Sequence, residues 1–171
     1  IAAPKKDAAG KWVPSRPMVD LLKVVKDYVY FPSTQGSNSL KAVLPAILNV
    51  STFLQKTYSQ PIYGRGCVVS SLNIDARAWV TKDDQGVVLN PYSQLPELAS
   101  DLSPAEQEEL EGMKQIRDGG GALTAYARLM YEDLSLVTRV SIETSLLEYC
   151  ELDTLAMVFL YQGLTDFVRP L

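Results

Sequence analysis

The hydrophobic and polar positions are most informative at the end of the chain, in LLEYCELDTLAMVFLYQGL, Leu146 to Leu164. Wound at about 100° per residue, this stretch lines Ile142, Leu146, Tyr149, Cys150, Ala156, Met157, Leu160 and Leu164 along one side of a helix. The periodicity predicts a last helix from about Val140 to about Phe167, the longest and most apolar in the chain and the centre of its core. Asp153 falls near the middle of that stripe, where a charge is out of place.

Earlier segments are shorter. RPMVDLLKVVKDYVYFP predicts a strand around Met18 to Asp20 running into a helix through Asp27, stopped by Pro32. Ser39 can cap the next helix, LKAVLPAIL, in which Pro45 either kinks the helix or starts a second segment. A third helix follows Ser51, through Phe53, Leu54 and Tyr58. From Gln60 to Leu102, turn residues alternate with short apolar pieces, which predicts loop with at most brief strands. Ser103, Pro104 and Glu106 form a capping box for a helix through AEQEELEGMKQI, with a solvated acidic face. In DGGGALTAYARLM the glycines lack the Gly-Lys-Ser/Thr ending of a phosphate loop, so they read as a flexible turn before a helix from Ala122 to Met130.

Composition narrows the chemistry. The 171 residues, 47% hydrophobic and 21% charged, suit a soluble globular domain. No window approaches a membrane span, and the first residues lack the apolar core of a secretory signal, so a cytoplasmic protein without membrane partners is expected. There is no histidine and only two cysteines, Cys67 and Cys150, which excludes Cys-His pairs, Ser-His-Asp triads and the common zinc sites. Cys150 reads as a small buried residue. Residues 1–66 hold nine Lys or Arg against three acids, and residues 67–171 hold seven against seventeen. The basic segment is either a phosphate-facing surface or a solvated arm. A chain opening on Ile1 suggests a piece of a longer protein, and processing would explain it equally well.

An unpaired carboxylate in a low-dielectric interior costs several kcal/mol. Asp153 therefore needs a cation, a proton or a polar cleft, and is a metal ligand, a proton-transfer group or half of a buried ion pair. Tyr149, four residues earlier, shares its face of the helix and points into the same surroundings.

At these residues a resemblance enters. YCELDTLAMV resembles the third motif of the DEDD exonucleases of RNase H-like fold, in the tyrosine variant, with Tyr149 and Asp153 matching its Tyr and last Asp. RPMVDLLKVVKDYVYFP resembles the segment after the second nuclease motif, GSNSLKAVLPAIL the Ser-Leu-Lys helix that comes next, and DGGGALTAYARL the stretch before the last helix. Together, from about Lys11 to Val158, they resemble the C-terminal half of a bacterial domain-of-unknown-function family, twenty-seven seventy-nine, described as predicted nucleases.

The resemblance implies hydrolysis of phosphodiester bonds by two Mg²⁺ or Mn²⁺ ions about 3.5 to 4 Å apart. Asp153 would be a metal ligand, and Tyr149 would orient the attacking water. Lys41 is either a phosphate contact or the partner of a buried acid. Asp20 matches a structural position. The Asp-x-Glu of the first motif is absent, and Asn73-Ile74-Asp75 has the wrong spacing for the second. The implied partners are nucleic acid and a missing N-terminal half of the same domain, without which this fragment would be inactive. The alternative is a non-catalytic RNase H-like interaction or scaffolding module. The fold expected is predominantly α with a few short strands, α+β, forming the C-terminal part of an RNase H-like α/β exonuclease domain. Residues 1–16 would be an extended arm and 17–171 the domain, with a loop-rich insertion at about 60–102. An exposed sheet edge near Val19 would make a homodimer possible.

Overall fold

A computed structural model describes residues 5–13, 18–98, 102–110, 112–113 and 115–168. It divides into two compact units, residues 1–30 and 31–171.

In the first unit, β1 (Lys5–Lys6) pairs antiparallel with β2 (Trp12–Val13). The turn between them is held by Asp7, whose Oδ1 accepts the N–H groups of Ala9 and Lys11, each at 2.9 Å. The described part of the expected extended arm is thus a hairpin; residues 1–4 and 14–16 lie outside the described residues. Helix α1 spans Leu21–Tyr28. The strand expected at Met18 to Asp20 is not formed, because Asp20 is the N-cap of α1 and its carboxylate accepts from Leu22 and Lys23. With no strand there, the sheet edge expected near Val19 is absent among the described residues.

The second unit is built around one helix. Helix α2 (Leu40–Val50) is capped by Ser39, and α3 (Thr52–Tyr58) by the buried Ser51. Pro45 sits inside α2 without dividing it. Two-residue strands β3 (Tyr63–Gly64) and β4 (Val69–Ser70) pair in parallel, and a 3₁₀ turn covers Pro91–Gln94. Helix α4 is Pro104–Glu109, α5 is Gly119–Tyr131 and α6 is Leu136–Val168. Among the described residues the structure is mostly helical, the only sheets are two two-stranded pairs, and no helix is long and apolar enough to cross a membrane.

Three local expectations change. The capping box at Ser103 forms, but α4 stops at Glu109, because Gly112 takes a left-handed backbone (φ +81°) and returns Leu110, Met113 and Ile116 to the core. The three glycines form the first turn of α5, since the Asp118 carboxylate accepts the Gly121 N–H at 2.7 Å and caps the helix there. The buried face of α6 is rotated from the predicted stripe: it centres on Ile142, Tyr149, Leu152, Leu155, Ala156, Phe159 and Leu160, whereas Cys150 is exposed and Met157 is 39% exposed.

The loop-rich stretch is not a solvated appendage. It places Ile74, Trp79, Val80, Val88, Tyr92, Leu95 and Leu98 in the core. At the other end of α6, Tyr58 packs edge-on against Phe159 with ring centroids 4.4 Å apart and donates to Gln162 at 2.9 Å. Ser51 donates to Asp166 at 2.8 Å. These bonds accompany a close approach at Gly163, where an added Cβ would lie 2.6 Å from Ile47 Cδ1 and 3.0 Å from Leu54 Cδ1.

Ile47 and Leu54 are fully buried, so they cannot swing aside freely. Gly163→Ala gains about 1 kcal/mol of helix propensity and should lose about 1–3 kcal/mol to overpacking. Urea unfolding should show the variant less stable than the parent. Equal or greater stability would mean that α2, α3 and α6 separate without cost.

Candidate functional site

Asp153 lies on the flank of the buried face of α6 and is half-buried. Its Oδ1 accepts a hydrogen bond from the Tyr92 hydroxyl at 2.6 Å. Tyr92 arrives on the 3₁₀ turn, which Asn90 starts by accepting the Tyr92 N–H at 3.1 Å and Pro91 continues with its fixed φ. Tyr149 is buried one turn before Asp153, its ring centroid 6.1 Å from that of Tyr92. The Lys41 ammonium, in the first turn of α2, lies 5.4 Å from the Tyr92 ring centroid and 5.8 Å from that of Tyr149. Asp118 completes the group from the N-terminus of α5. Its carboxyl is held below the usual aspartate range by the Gly121 N–H and then by the Lys41 charge.

All three residues singled out in the sequence, Lys41, Tyr149 and Asp153, therefore meet. Of the alternatives open for Asp153, the buried ion pair does not form: the ion pairs among the described residues are Lys23–Asp27, Arg65–Asp75 and Arg128–Glu132, and none includes Asp153 or Lys41. Half-exposure and the Tyr92 hydroxyl make Asp153 tolerable, since a hydrogen bond to a charged group contributes about 1.5–3 kcal/mol. Tyr92 and Asp118 were not singled out. The Asn-Pro pair before Tyr92 marks a turn, and the Asp before the glycines marks a cap, yet neither signal says which way the turn or cap faces.

Both tyrosines keep their protons at neutral pH. Burial pushes the Tyr92 pKa far up, and the hydrogen bond to Asp153 and its negative charge push the same way. Tyr149 is raised by burial and by the Asp153 charge. Each is thus a hydrogen-bond donor rather than a base.

As a metal centre the group is incomplete. No set of three or more Asp, Glu, Cys or His side chains is gathered to hold an ion among the described residues. Tyr92 donates to one oxygen of Asp153, and both oxygens keep lone pairs for a further ligand. Asp75 pairs with Arg65 at the surface and does not add to the set.

A second polar cluster ties the irregular segment to α6. Glu151 accepts from the Tyr63 hydroxyl and from the Asn73 amide, the latter at 2.7 Å. Glu148, 8% exposed, keeps one buried oxygen without a hydrogen-bond partner, and burial raises its pKa. No family model, curated protein or solved structure matches the chain.

Glu151 gives a pH signature. Burial raises its pKa, but hydrogen bonds from Ser71, Tyr63 and Asn73 outweigh that and leave it below the ordinary 4.5. A carboxyl lowered in the folded state contributes stability that is complete above its unfolded pKa and lost as pH falls through the folded one. Urea unfolding from pH 6 downward should therefore show Glu151→Gln losing less stability than the parent below pH 4.5. Parallel acid limbs would show that the cluster does not favour the carboxylate.

Proposed function

We propose that this chain is part of a metal-dependent nuclease of the RNase H-like DEDD type, tyrosine variant, acting on phosphodiester bonds. The observation that supports it is convergence: three blocks, read separately as resembling that family, put Lys41, Asp118 and the pair Tyr149 and Asp153 into one group. In this reading Asp153 presents one oxygen as a metal ligand. Tyr149, protonated, donates to and orients a water or phosphate oxygen. Lys41 has no ion pair among the described residues and is the cation that meets a phosphate.

Mg²⁺ or Mn²⁺, when bound in such a centre, supplies an activated water and stabilises the leaving oxygen. The remaining ligands belong to the part of the domain that this chain lacks in our reading, so the fragment alone is inactive and the nucleic acid is the partner of the intact protein.

A non-catalytic interaction module is the second reading, favoured by the absence of a gathered set of acids among the described residues. One experiment separates the two. The protein at its full encoded length should hydrolyse single- or double-stranded DNA or RNA with Mg²⁺ or Mn²⁺. Asp153→Ala should abolish this with the fold retained, and Tyr149→Phe should lower kcat by about 10²-fold. Absence of metal-dependent hydrolysis on all these substrates supports the module instead.

A further inference from the structure

We infer that Tyr92 is a positioning residue for Asp153, fixing the direction in which the carboxylate faces. The inference rests on the site proposed above, although the geometry behind it does not depend on the reaction.

Tyr92 is 3% exposed, its ring packs beside Tyr149, and its hydroxyl donates to Asp153 Oδ1 at 2.6 Å. A free aspartate turns about two side-chain torsions, and its terminal torsion is broad and roughly two-fold. On the flank of a helix, an unbonded carboxylate would sample several directions. A hydroxyl carried on a buried ring removes that freedom, because the ring cannot follow the carboxylate. The Lys41 ammonium sits against the same two rings, so a shift of Tyr92 would move the cation and the anion of the site together.

The backbone around Tyr92 fits this reading. The Asn90 side chain caps the turn, and the following Gln94 is anchored at both ends, its amide donating to the Trp79 carbonyl at 3.1 Å and its own carbonyl accepting from Arg77 at 3.0 Å. The ring is therefore presented by a segment pinned to the core on both sides of it.

The test uses the chain as it stands, labelled with ¹³C and ¹⁵N, comparing the parent with Tyr92→Phe, which keeps the ring and loses only the hydroxyl. In the metal-free parent, Asp153 should show side-chain scalar couplings of one rotamer. In Tyr92→Phe those couplings should average, with backbone shifts elsewhere preserved as evidence that the fold is intact. Averaged couplings in the parent, or unaveraged couplings in the variant, overturn the inference. If Tyr92→Phe does not fold, Asp153→Asn gives the second measurement. The amide carbonyl of that variant can still accept the hydroxyl, so a single rotamer at position 153 supports the inference and an averaged one overturns it.

Mn²⁺ titration of the protein at its full encoded length, which in our reading carries the remaining ligands, separates this result from the proposed reaction. Paramagnetic broadening at Asp153 in the parent should need about 10- to 100-fold more Mn²⁺ in Tyr92→Phe, the usual loss when a hydrogen-bond partner of a metal ligand is removed. A parent with a fixed Asp153 but no Mn²⁺ broadening supports the positioning by Tyr92 and overturns the metal reading alone.

Discussion

The second unit depends on the register of α6. A 33-residue helix with apolar residues on nearly every side can rotate or slide against its neighbours at modest cost in buried area alone. Its polar attachments remove that freedom. Ser51 to Asp166, Tyr58 to Gln162, Tyr92 to Asp153, and Tyr63 with Asn73 to Glu151 bind it at four levels. A one-residue shift turns every side chain by about 100° and breaks all of them together. Each broken bond leaves a partly buried polar group without a partner, at about 1–3 kcal/mol. Gly163 sets the depth of the same contact, because only a residue without a Cβ lets Ile47 and Leu54 reach the α6 backbone.

The question raised by a carboxylate in an apolar stripe is answered by this register. Asp153 is not at the centre of the buried face; Leu152 is, fully buried, and Asp153 lies about 100° away. Its desolvation is partial, and one strong hydrogen bond from Tyr92 offsets much of that cost. No cation is needed to hold the fold at this point. That leaves Lys41 against two aromatic faces, an arrangement that contributes about 0.5–2 kcal/mol, with Asp118 near enough to feel its charge.

What could be read from the sequence follows a physical division. The helices at α2, α3 and α6 were legible, because Ser39, Ser51 and the long apolar run are local signals. So were the irregular character of residues 60–98 and the nearness of Tyr149 to Asp153, which needs only four-residue spacing. The phase of α6 was not, since a helix apolar on most sides has no dominant direction to detect. Cys150 was misplaced for that reason. The early stop of α4 turned on one left-handed glycine, and the start of α5 on one aspartate cap, each a single-residue choice inside a plausible helical pattern. Tyr92 and Asp118 come to the site from a turn and a cap distant in sequence, and no periodicity links them to Tyr149.

The irregular segment is consequently part of the site and not a cover over it. Its buried Trp79, over which the Arg77 guanidinium lies at 5.2 Å, anchors the backbone that leads to Tyr92. Around the two tyrosines stand one cation, Lys41, and two carboxylates, Asp118 and Asp153, leaving one negative charge in excess. Such a balance attracts a cation more than a bare phosphate, and Asp118, fully exposed, is the part of it most weakened by salt. A phosphate would meet Lys41 favourably only once a divalent ion had offset the carboxylates. In the proposed reading, metal and phosphate would therefore arrive together.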